Sequence, residues 1–142
     1  MKREYLTDGV VQLSSDNCTF TYERPSAGVL LVRISGHDDG QFGTATLDEI
    51  VIALQRERPL QLFVDARKAL GAAMSVSEAW TNFFSTNQRD LTRVHVLVSA
   101  RIVQLTVAIA QHLSRTGNLI QIYSDPAIFD SQLAATRLAA RR

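Results

Sequence analysis

After its first forty residues this chain alternates without exception between strand-patterned and helix-patterned segments, and that alternation constrains its fold more than any other feature. Residues 46–56 put Leu47, Ile50, Val51 and Leu54 on one helical face, with Thr46 and Glu49 at capping-box spacing. Pro59 bars continuation of that helix, and residues 60–65 read as a strand. Residues 66–74, with Gly71, read as a loop. Ser75 and Glu78 repeat the capping box before a helix carrying Val76, Trp80, Phe83 and Phe84. A strand follows at 94–98 and a helix at 101–115, with Gly117 placed for a left-handed C-cap. The last strand is 119–124. Asp125-Pro126 then gives an N-cap with proline at the first helical position, opening a helix carried by Ile128, Phe129, Leu133 and Leu138.

Ahead of this alternation, 19–22 and 29–34 read as a β-hairpin across the turn cluster Pro25-Ser26-Ala27-Gly28. Asp8-Gly9 and 14–17 read as turns, and 36–40, with His37, Asp38 and Asp39, as a solvated loop. The expected order is β-β-α-β-α-β-α-β-α: an α/β domain with a five-stranded mixed sheet, an N-terminal antiparallel hairpin and then parallel βα units joined by right-handed crossovers. Residues 1–16 form an N-terminal segment and 17–142 a single domain.

Successive side chains of a strand point to opposite faces. One face collects Leu30, Val32, Ile34, Leu62, Val64, Val94, Val96, Val98, Ile120 and Ile122, all aliphatic. The other mixes Val29, Leu31 and Phe63 with Arg33, Gln61, His95 and Gln121. A sheet covered by helices on both sides reads apolar on both. The expectation is therefore helices mainly on one face. A band of Leu31, Phe63, Leu97 and Tyr123 crosses the other face, covered either by the N-terminal segment or by another molecule. A homodimer centred on those four residues is one form of the second alternative.

The bulk numbers exclude several function classes. The chain has 142 residues, 46% apolar and 20% charged, with a net charge of +1. That is enough chain for one core without disulfides, and too little field to recruit nucleic acid or an anionic membrane. Cys18 is the only cysteine, which rules out an internal disulfide and points to a reducing, cytoplasmic setting. No hydrophobic signal run follows Met1-Lys2-Arg3-Glu4-Tyr5, and no window approaches a transmembrane span.

The element order, together with Val29-Leu-Leu-Val-Arg-Ile-Ser-Gly36, Leu62-Phe-Val-Asp65 and Ile122-Tyr-Ser-Asp-Pro-Ala-Ile-Phe129, resembles the STAS superfamily. This is the fold of the bacterial anti-sigma-factor antagonists. The likeness is nearest to its SpoIIAA-like branch of small stand-alone proteins. In regulatory members a partner kinase phosphorylates a serine or threonine at the start of the helix after the third strand. Here that position is Ser75, in Ala73-Met74-Ser75-Val76, without the Asp and Gly that flank the family's acceptor.

The resemblance implies a non-enzymatic module that regulates by docking a protein partner. Its candidate phospho-acceptor or partner contacts are Ser75, Ser77, Arg67, Lys68 and Met74. They stand at the carboxyl ends of the parallel strands, where open α/β sheets bind. The alternative it permits is a carrier holding an apolar ligand among Trp80, Phe83, Phe84 and Phe129. No catalytic set, metal site or cofactor is expected. Asp65 reads as bonding nearby N–H groups or pairing with Arg67, while His95, His112 and Cys18 lack a sequence-local partner that would make them reactive.

Overall fold

A computed structural model of the protein describes residues 1–99 and 116–140. Strand β1 (Lys2–Tyr5) pairs antiparallel with β2 (Val11–Ser15), β2 with β3 (Cys18–Ser26), and β3 with β4 (Val29–Asp38). From there the sheet is parallel: β4 with β5 (Leu60–Ala72), β5 with β6 (Leu91–Leu97), and β6 with β7 (Ile120–Tyr123). The spatial order is β1-β2-β3-β4-β5-β6-β7, a seven-stranded mixed sheet.

Two strands more than expected come from residues 2–15. Asp8-Gly9 is the corner of a hairpin, with φ of 61° and 76°, and Asp16-Asn17 joins β2 to β3. The two strands were hidden because Leu13 is their only fully buried side chain. β1 leaves no apolar alternation and β2 only the short Val11, Leu13 pair, and a charged edge such as Lys2-Arg3-Glu4 guards against further pairing. The segment lengthens the sheet and is fastened sideways. Arg3 Nε donates to Glu49 Oε1 at 2.6 Å.

Helix α1 (Ala45–Arg56) bridges β4 and β5, and α2 (Met74–Thr86) bridges β5 and β6. Both pack on the aliphatic face, through Ile50, Ala53 and Leu54 and through Trp80, Phe83 and Phe84. Phe42, Phe20, Trp80, Phe84 and Phe83 form a chain of ring contacts with centroids 5.4–6.4 Å apart. The helix expected at 101–115 lies outside the described residues.

Helix α3 (Pro126–Ala140) overturns the one-sided arrangement. Its Phe129 and Leu133 pack with Val29, Leu31, Phe63, Leu97 and Tyr123, a second core on the opposite face. The band is covered by the chain's own last helix, and neither the N-terminal segment nor another molecule is needed. The reason is topological. Right-handed crossovers hold α1 and α2 to one side of neighbouring parallel strands. Among the described residues no strand follows α3, so no described crossover assigns its side, and the apolar band decides. Ile128 and Leu138, expected in that helix's packing stripe, are exposed.

The helix starts also differ from the sequence reading. Thr46 lies inside α1, buried, and its carbonyl accepts the Tyr22 hydroxyl at 2.7 Å. The residue before the helix is Thr44, whose hydroxyl donates to Asp48 at 2.9 Å. Ser75 lies one residue into α2, after Ala73, and does not cap it. Only Asp125 caps as expected, accepting from the Ala127 N–H at 2.9 Å.

Candidate functional site

The expected loop at 66–74 is largely strand. β5 runs to Ala72, well past the end of β6, and β4 runs with it to Asp38, through two register shifts that bend the pair. Gly36 makes this possible. Its φ is +89°, and a side-chain carbon there would lie 2.0 Å from the Asn17 carbonyl oxygen. His37 donates its backbone N–H to that same oxygen at 2.9 Å, tying the β4 extension to the β2–β3 corner.

Asp38 ends β4 and is buried, contrary to its reading as part of a solvated turn. Its carbonyl accepts the Ala73 N–H at 2.8 Å, fixing the start of α2. Its carboxylate accepts from the Gly40 N–H at 3.0 Å. Burial pushes its pKa up from the ordinary carboxylate value, with the Gly40 hydrogen bond opposing. Around it lies an apolar cleft of about 60 Å³ lined by Phe20, Val64, Val76, Trp80 and Phe84. His37 Nδ1 lies 2.7 Å from Asp39 Oδ1 at the surface. Among the described residues no three His, Cys, Asp or Glu side chains converge as a metal site.

Above this buried frame stands an exposed rim. Leu70 is 52% exposed and Met74 68%, and Lys68 and Ser75 are exposed as well. Leu70 carries no signal in the sequence, where residues 66–74 read as loop. Ser77, by contrast, is buried, its hydroxyl 3.5 Å from the Ala73 carbonyl and its own carbonyl accepting from Thr81 at 2.9 Å. Arg67 is committed inward. Its backbone N–H and Nε donate to Asp65 Oδ1 at 3.2 and 3.0 Å, and its terminal nitrogen donates to Asp130 Oδ1 at 2.7 Å. Those carboxylates raise the Arg67 pKa further. Arg67 thus links the end of β5 to α3, and the pairing with Asp65 is as the sequence suggested.

The structure separates the remaining candidates. Leu31, Phe63 and Leu97 are fully buried beneath Phe129, so a second copy must displace α3 to reach them. Tyr123 is half-buried in the same cluster, its hydroxyl 2.7 Å from His95 Nδ1. Trp80 and Phe84 line the apolar cleft, Phe83 packs beside Phe84, and Phe129 sits across the sheet. The four rings proposed for a carrier therefore do not enclose one cavity. Cys18 is buried, and its thiol pKa is pushed up to about 12, mainly by desolvation.

No protein-family model matches the chain, and no curated protein matches it. Experimentally determined structures do. An anti-sigma factor antagonist from Mycobacterium paratuberculosis superposes with a TM-score of 0.63 at 15% identity, covering 86% of this chain and 99% of that one. An uncharacterised DUF3478-family protein with a SpoIIAA-like fold, from Shewanella loihica PV-4, superposes with a TM-score of 0.55 at 15% identity, covering 85% of this chain and 98% of that one. The fold of this chain is STAS/SpoIIAA-like.

Proposed function

We propose that this chain is a non-catalytic docking module whose partner surface is the rim of Lys68, Leu70, Met74 and Ser75. The observation that carries the reading is the contrast at this end of the sheet. Two large apolar side chains stand in water on a backbone pinned from below by Asp38, Gly36 and the buried Ser77. Exposed apolar anchors on a rigid support suit protein recognition, because little ordering entropy is lost on binding. The anti-sigma factor antagonist among its structural neighbours makes a regulatory protein, with anti-sigma factors as the first class to test, the partner we favour.

Ser75 is the proposed modification point. Its exposure in the first turn of α2 leaves the hydroxyl open to a kinase, and the free N–H groups of a helix start favour added negative charge. No further reading is favoured. The apolar cleft, about 60 Å³, falls far short of the several hundred Å³ of ligand pockets.

The test is calorimetric titration of the protein with purified anti-sigma factors from its own genome. Leu70→Asp and Met74→Asp should each weaken binding by about 2 kcal/mol, close to thirtyfold. Full affinity in both variants removes the rim from consideration. Incubation with an anti-sigma kinase should label the wild type and leave Ser75→Ala unlabelled.

A further inference from the structure

On the face away from α1 and α2, helix α3 packs over β4 to β7 and comes up to β3. β3 and β4 form a mixed floor of Thr19, Thr21, Arg33, Ile34 and Ser35, and between that floor and α3 runs a groove of about 560 Å³. Thr19, Thr21 and Ser35 supply hydroxyls from β3 and β4. The wall is a second stripe of α3, Asp130, Leu133, Ala134 and Arg137, at helical spacing.

Charge compensation in the groove is uneven. Arg33 lies 3.3 Å from Glu23 and 3.9 Å from Asp65, and Arg67 is held by Asp65 and Asp130. Lys68 and Arg137, from opposite sides, have no carboxylate partner among the described residues. Two uncompensated cations call for two negative charges, which a phosphate supplies, and the donor and acceptor hydroxyls of Thr19, Thr21 and Ser35 suit the hydroxyls of a polyol. The volume exceeds that of a bare inorganic ion and suits a small hydroxylated body beside it.

We propose that this groove binds a small phosphate monoester of a polyol, its phosphate between Lys68 and Arg137 and its hydroxyl-bearing body on the Thr19, Thr21 and Ser35 floor. The site shares Lys68 with the docking rim, while Leu70, Met74 and Ser75 lie outside it.

Glycerol phosphate, glycerol and inorganic phosphate are the probes, titrated at constant ionic strength while backbone amide shifts are followed by NMR. Glycerol phosphate should give saturable shifts at Thr19, Thr21 and Ser35, and glycerol none. Arg137→Gln and Lys68→Gln should each raise the dissociation constant about tenfold or more. Both side chains are exposed, so the folded amide dispersion should persist and serve as the control. Absence of saturable shifts up to about 10 mM, or equal affinity in both variants, overturns the site. Inorganic phosphate binding as tightly as the ester overturns the polyol body. Met74→Asp should leave these titrations unchanged, and Arg137→Gln should leave partner docking unchanged, so either proposal fails without the other.

Discussion

His95 shows how much one buried side chain can decide. It stacks on Phe63 with ring centroids 4.1 Å apart and lies between Gln61 Nε2 at 2.8 Å and the Tyr123 hydroxyl at 2.7 Å. With the Gln61 amide donating, Nε2 accepts and Nδ1 donates to the tyrosine, which is the neutral ring. Burial, with a smaller contribution from Arg93, lowers its pKa to about 4 from 6.5. The unfolded chain therefore binds the proton first. Stability is complete above about pH 6.5 and is lost as pH falls toward 4, by up to about 3 kcal/mol. Urea denaturation at pH 7 and pH 4.5 measures this loss, and His95→Gln should flatten it. A wild-type curve unchanged between those pH values removes His95 as its source. Gly36 is a second such position. Gly36→Ala brings a methyl group against the Asn17 carbonyl in a left-handed conformation, and thermal melts should show a loss of about 2–4 kcal/mol.

At the scale of elements, α3 separates packing from exposure within a few residues. Phe129 is fully buried against Phe63 and Tyr123, at centroid distances of 5.6 and 5.8 Å, while its neighbour Ile128 faces water. Phe129→Ala should cost about 3–5 kcal/mol in denaturant titration. Ile128→Ala should stay within about 0.5 kcal/mol of wild type. Loosening α3 uncovers Leu31, Phe63 and Leu97, so the Phe129 variant should also bind a hydrophobic dye that wild type ignores. Equal stability of the two variants would mean that α3 does not seat on the sheet as described. β1 behaves differently. It buries no side chain fully and holds to α1 through the Arg3–Glu49 pair, half-exposed at Arg3, so Arg3→Ala should cost about 1 kcal/mol or less.

For the whole molecule, the two cores make a three-layer body around one sheet, α1 and α2 on one side and α3 on the other. Cys18 lies in the larger core and reports its opening. A thiol reagent should react with it at the rate of unfolding, and rapid reaction in native buffer would show that the β3 end of that core is open. Among the described residues no helix is long and apolar enough to cross a membrane.

The residue pattern alone determined the β3–β4 hairpin, the run α1-β5-α2-β6, the parallel half of the sheet, the aliphatic face and the Asp125 cap, because each rests on local periodicity or on one residue's backbone chemistry. The candidate site was half legible for the same reason. Ser75, Met74 and Lys68 stand where the topology put them, while Ser77 and Arg67 turned inward and Leu70 went unseen. Tertiary structure decided the rest. β1 and β2 are held by pairing at the sheet edge, β1 carrying no apolar alternation and β2 only Val11 and Leu13. The strand extension that carries Leu70 depends on a close approach at Gly36 that no periodicity encodes. The side taken by α3 follows from Phe129 meeting Phe63, a contact between residues 66 positions apart that only the assembled sheet creates.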